Sequence, residues 1–139
     1  MKRIWIVTLV IAALLAAAAS PYFYKIHTIR SAMKKNIHIM ETYIEAMKRA
    51  SDPEAMASAT HQYAADIRAF GGALKKVKSQ YPQLTDPNHP PYFLKGVTAE
   101  YEEKVKLLTI ASGKTRRFSE NPIIAEANED LIQAWIDTR

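Results

Sequence analysis

Ile26 to Met47, IHTIRSAMKKNIHIMETYIEAM, is the stretch on which the fold turns. Its apolar residues Ile26, Ile29, Met33, Ile37, Met40, Ile44 and Met47 follow one another in steps of three and four. That spacing gathers all seven on one stripe of an α-helix, whereas in a strand they would fall on both faces. A helix A over roughly 22–50 is predicted, and its apolar stripe requires other helices to cover it.

Downstream, the same period recurs three times. Ser51-Asp52-Pro53-Glu54 ends helix A and starts helix B (53–81), with Asp52 as N-cap and Pro53 in the first turn. Helix B carries Met56, Tyr63, Ile67, Phe70, Leu74, Val77 and Tyr81 on one stripe. Beside it Ala57, Ala64 and Gly71 recur every seven residues and form a smooth groove for a close neighbour. Gly71-Gly72 in mid-helix weakens the helix by about 1 kcal/mol per glycine, so a packing reason is expected there. Pro82 to Pro91, PQLTDPNHPP, holds four prolines and no period, and reads as a stiff crossing loop. Helix C (92–118, with a stop at Gly113 left open) turns Leu94, Val97, Tyr101, Val105 and Leu108 inward, and helix D (122–138) turns in Ile124, Leu131 and Trp135. Ser119-Glu120-Asn121-Pro122 repeats the cap-then-proline pattern, a faint internal echo of the first hairpin turn. The expected architecture is an all-α, antiparallel up-down-up-down four-helix bundle. Helix A sums to a charge of +4 and helix D to −4, so the two are expected to lie side by side.

Upstream, Ile4 to Tyr24 (IWIVTLVIAALLAAAASPYFY) contains no charged side chain and follows Lys2-Arg3. About twenty apolar residues suffice to cross a bilayer as a helix. Residues 1–24 therefore read as a signal peptide, with small residues Ala16 to Ala19 at a cleavage boundary. They read equally as a single transmembrane anchor with interfacial Trp5, Tyr22, Phe23 and Tyr24. Lys25, Arg30, Lys34 and Lys35 after the run would alone place the body in the cytoplasm by the positive-inside rule. The Ala-rich boundary favours export instead, to a periplasmic or other extracytoplasmic location, with residues 4–24 as a candidate inner-membrane anchor.

Composition limits the function. Of 19 basic and 14 acidic residues, the first nineteen positions contain only Lys2 and Arg3, so the body carries +3, too little to argue for nucleic acid. There is no cysteine, which excludes disulfides and thiolate metal sites. Glu-x-x-His, HExxH, GxSxG and phosphate-loop patterns are absent from the sequence, so no catalytic residue, metal site or cofactor is expected. Met33, Met40 and Met47 stand about 10 Å apart along a helix and cannot share one ion. His38, Glu41 and Glu45 share a face of helix A with Lys34 and Arg49, the pattern of a solvated ion-pair stripe.

The layout of export leader, four helices and proline-rich middle loop resembles that of cytochrome b562-type periplasmic bundles. The resemblance implies non-covalent haem held by a methionine early in the first helix and a histidine late in the fourth. Met33 or Met40 matches the former, but helix D contains no histidine.

Unequal helix lengths supply the sharpest expectation. Helix D falls about 15 Å short of helices A and B at the end nearest the apolar leader. An apolar opening is expected there, with Tyr92 and Phe93 of the loop plugging or lining it, and a collar of Lys25, Arg30, Lys34, Lys35, Lys75, Lys76, Lys78 and Lys95 opposed only by Asp86. Such a pole suits an anionic amphipathic ligand, a lipid headgroup or a partner protein. The sequence thus points to a non-enzymatic extracytoplasmic binding or accessory protein, membrane-tethered or exported, with Lys34, Lys35, Lys75, Lys76, Tyr81, Tyr92 and Phe93 as ligand-binding candidates. The alternative is a carrier of a non-covalent cofactor or hydrophobic ligand.

Overall fold

The computed structural model describes the backbone of residues 2–138 and the side chains of residues 8–138. The side chains of Lys2, Arg3 and Trp5, the last an expected interfacial anchor, lie outside the described residues. The chain is all-helical, with no strand among the described residues: α1 (Lys2–Arg49), α2 (Pro53–Gln80), α3 (Lys95–Ser112) and α4 (Pro122–Asp137).

α1 unites two segments that the sequence separates. The apolar leader and helix A form one helix of 48 residues, about 72 Å long, which passes through Pro21. Pro21 has no N–H to donate to the carbonyl of Ala17, but the turns around it remain helical. From Leu9 to Tyr24 the large apolar side chains are exposed, and burial begins at Ile26. α1 is the helix, among the described residues, that is long and apolar enough to cross a membrane.

The body forms on the second half of α1. Ile26, Ile29, Ile37, Met40, Ile44 and Met47 of the stripe are buried and Met33 is half-buried. Ile39 and Tyr43 are buried as well, because α1 is covered on two flanks, by α2 and by α3. Each such aliphatic side chain contributes about 1.5–3 kcal/mol on full burial.

Caps lie where the sequence places them. Asp52 accepts a hydrogen bond from the Ala55 N–H at 2.8 Å, with Pro53 in the first turn of α2. Asn121 accepts one from the Ile123 N–H at 3.0 Å ahead of Pro122. Helix C does change character at Gly113: α3 ends at Ser112, and Gly113–Phe118 continues as a 3-10 helix.

Cross-helix pairs give the directions. Tyr43 stacks on Tyr63 with ring centroids 4.6 Å apart, and the Lys35 ammonium stands 3.8 Å from the Phe70 ring centre, so α2 runs antiparallel to α1. Lys34 meets Glu100 at 2.6 Å, Glu41 meets Lys104 at 2.9 Å, and the Lys114 ammonium donates to the Met47 carbonyl at 2.7 Å, so α3 runs parallel to α1. Asp130 of α4 accepts from Arg68 at 2.6 Å and pairs with His61 at 2.7 Å, and Arg68 reaches Asp137 at 3.6 Å, so α4 runs parallel to α2. Directions therefore alternate along the chain.

The neighbours differ from those expected. The closely packed pairs are α1 with α2, α1 with α3, and α2 with α4, and the expected pairing of helices A and D is not among them. The acids of α4 are answered by His61 and Arg68 of α2, while Lys34 of α1 is answered by Glu100 of α3. The reason is steric: the small-residue groove of α2 selects α4. Ala57, Thr60 and Ala64 of α2 and Ala127 and Ala134 of α4 are all buried between helices. At the end of this groove a Cβ on Gly71 would lie 2.9 Å from the Thr138 methyl group, whereas one on Gly72 would meet nothing within 4 Å. A second expectation also shifts: Trp135 stays 40% exposed, its ring 6.4 Å from that of Tyr63, and α4 buries alanines in its place.

Candidate ligand cavity and aromatic pole

α4 ends beside Gly71, ten residues before Tyr81, which leaves one corner of the body about 15 Å short of helix. The vacated corner holds a cavity of about 470 Å³. Ile29 and Met33 of α1 form one wall, Leu74 of α2 another, and Tyr101 and Val105 of α3, with Leu94 of the 3-10 turn before it, a third. The proline-rich loop adds a further side with Leu84, Pro87 and Pro90, and the cavity stays partly open to solvent. Prolines suit this position, since they stiffen the turns of the loop and carry no backbone N–H group that would need a partner in an apolar surround. The volume falls within the range of small-ligand sites.

The polar lining is balanced in charge. Lys78 and Lys106 stand against Asp86 and Glu102, with the hydroxyls of Thr85 and Thr98 between them. The Asn88 N–H and the His89 ring hold the Asp86 carboxyl below the usual carboxylate range. Burial raises the pKa of Tyr101, which keeps its phenol neutral. None of the lining residues is a histidine. Among the described residues no three His, Asp or Glu side chains converge as a metal-binding set.

The expected site residues lie elsewhere, and none of the seven lines the cavity. Lys34 is held by Glu100 across the α1–α3 seam, and Lys35 by the Phe70 ring across the α1–α2 seam. Lys75 and Lys76 are exposed on α2. Tyr81 closes α2 with the Lys25 ammonium 5.8 Å from its ring centre. Tyr92 and Phe93 point outward, Tyr92 with 79% of its surface exposed. The single basic, aromatic-rich opening foreseen in the sequence is thus two features: a charge-balanced apolar cavity, and an outer rim of aromatic and basic side chains.

The rim is built from α1 and the end of the loop. Tyr22, Phe23, Phe93 and Tyr92 form a row of edge-on rings with centroids 5.9, 5.6 and 5.5 Å apart in turn. The Arg30 guanidinium donates to the Phe93 carbonyl, and Leu94, 1% exposed, roots the turn in the core.

Six cavity residues, Ile29, Met33, Leu74, Leu94, Tyr101 and Val105, were legible from periodicity as inward apolar positions. Lys78 and Asp86 belong to the collar expected around that opening, whereas Lys106, Glu102 and the apolar loop wall were missed. Only the proline density of the loop hinted at its part. Comparison with known proteins adds no counterpart: no family model, no curated protein and no solved structure matches the chain.

Proposed function

We propose that this protein is a non-enzymatic, extracytoplasmic module that binds a single amphipathic molecule in its membrane-proximal cavity, with residues 4–24 as an uncleaved membrane anchor. The observation that carries the reading is the apolar, loop-walled space of about 470 Å³ in the corner that α4 leaves open. Its walls suit an acyl chain or a fused-ring body. Its two bases and two acids suit a neutral or zwitterionic head better than the anionic one that the sequence suggests. Continuity of α1 supports the anchor, because a rigid helix joins the exposed apolar turns to the first buried residue, Ile26. The haem-carrier reading draws no support from the cavity: Met33 reaches it, but no histidine lines it.

The test is saturable binding of a dansyl-labelled lysophosphatidylcholine to the full chain in detergent micelles, followed by dansyl fluorescence anisotropy on direct excitation. Val105→Trp should fill the cavity and weaken binding at least tenfold while the far-ultraviolet circular dichroism is unchanged. Binding that does not saturate, or that survives Val105→Trp and Leu74→Trp alike, refutes the proposal.

A further inference from the structure

We infer that the Tyr92–Phe93 turn is a second membrane contact, which seats in the interfacial zone of an anionic bilayer beside the point where α1 leaves it. The inference rests on the anchored reading of residues 4–24, and concerns the outer rim instead of the cavity.

Depth is the first argument. If the apolar run spans the bilayer up to Tyr24, Phe23 lies at the boundary between acyl chains and headgroups, where aromatic side chains concentrate. Phe93 is in ring contact with Phe23, so it lies at that same depth, and Tyr92 extends the row further out. Rigidity is the second. Pro90 and Pro91 precede the turn, residues 92–94 form a single 3-10 turn, and Leu94 and the Arg30 bond hold its end. Exposed rings on a turn so fixed gain by entering the interface and lose no loop freedom in doing so. Charge is the third. Arg30 touches the turn through the Phe93 carbonyl, Lys95 follows it directly in the chain, and Lys25 lies two residues beyond Phe23 on α1, bases that an anionic leaflet would attract. The nearest loop acid, Asp86, is occupied by Asn88 and His89.

Hydroxyl-radical footprinting of the wild-type full chain tests this, comparing detergent micelles with nanodiscs of phosphatidylglycerol and phosphatidylcholine. Tyr92 and Phe93 should be protected several-fold in the nanodiscs, and less in pure phosphatidylcholine, while Ile110, exposed on the far part of the body, keeps its reactivity. Tyr22 and Tyr24 report the anchor separately. Protection of these two with Tyr92 still reactive overturns the docking and leaves the anchor standing. Reactivity of all four aromatic residues, together with failure to float with liposomes, overturns both. Protection of Tyr92 that follows protein concentration in detergent and not the presence of lipid shows that a second copy covers the turn, and overturns the inference.

Discussion

Gly71→Ala and Gly72→Ala are adjacent substitutions of identical chemistry, and the structure requires opposite outcomes. In an open helix position, alanine in place of glycine gains up to about 1 kcal/mol, because the unfolded chain loses freedom and the helix gains propensity. Gly72 is such a position, since an added Cβ has no neighbour within 4 Å. For a body of roughly 115 residues that gain corresponds to a rise in Tm of about 4 °C. At Gly71 the same methyl group would stand 2.9 Å from the Thr138 Cγ2 and 3.0 Å from its Cβ. Thr138 is short and β-branched, so it has no flexible end to swing aside, and the last turn of α4 must move. Overpacking of this kind costs about 1–3 kcal/mol, which cancels or exceeds the propensity gain. The expected gap between the two variants is therefore about 1–3 kcal/mol, Gly72→Ala being the more stable. Thermal and urea unfolding of the body, followed by circular dichroism, measure it. Adding Thr138→Gly should restore the gain at position 71 and produce a measurable coupling in a double-mutant cycle. Equal stabilisation by both alanines would refute the α2–α4 packing described above.

Three further outcomes follow from named contacts. Asp52→Ala should destabilise the body by about 1 kcal/mol, read from urea midpoints, because the Ala55 N–H loses its cap. Lys114→Met should cost about 1–2 kcal/mol and raise amide exchange in the last turn of α1, because the Lys114 ammonium caps the Met47 carbonyl there at 2.7 Å. Arg68, and after it His61, hold the Asp130 carboxyl below its usual value of 3.8. A carboxylate with a lowered pKa in the folded state adds stability above its unfolded value, and this is lost as the pH falls through the folded one. Asp130→Asn should therefore lower Tm at neutral pH, and its difference from the wild type should begin to shrink only as the pH falls past about 4 and vanish below the lowered folded value. A difference that persists at pH 2 would show that Asp130 acts by shape and not by charge.

Local patterns in the chain carried far. The stripe of α1, the Asp52 and Asn121 caps and the shortness of α4 all follow from residues close in sequence, where helical period and cap chemistry operate. The groove of Ala57, Ala64 and Gly71 also announced a close neighbour. Which neighbour it received was not legible from charge. The +4 of helix A and the −4 of helix D pointed to each other, yet exposed ion pairs contribute only about 0–1 kcal/mol and do not choose a packing arrangement. Close fit in the α2 groove does, because alanine and glycine faces let backbones approach and gain dispersion contacts along their whole length.

By itself the sequence determined that this chain is helical, that Asp52 and Asn121 cap the starts of two of its helices, and that an apolar run able to cross a membrane precedes the body. These depend on neighbours a turn or two away. The tertiary structure alone decided that Lys34 and Lys35 are held by Glu100 and Phe70, that the vacant corner is walled by prolines and balanced in charge, and that Phe93 meets Phe23. The physical reason is distance along the chain: Phe93 and Phe23 are seventy residues apart, and no local period relates them until α1, α3 and the crossing loop pack together.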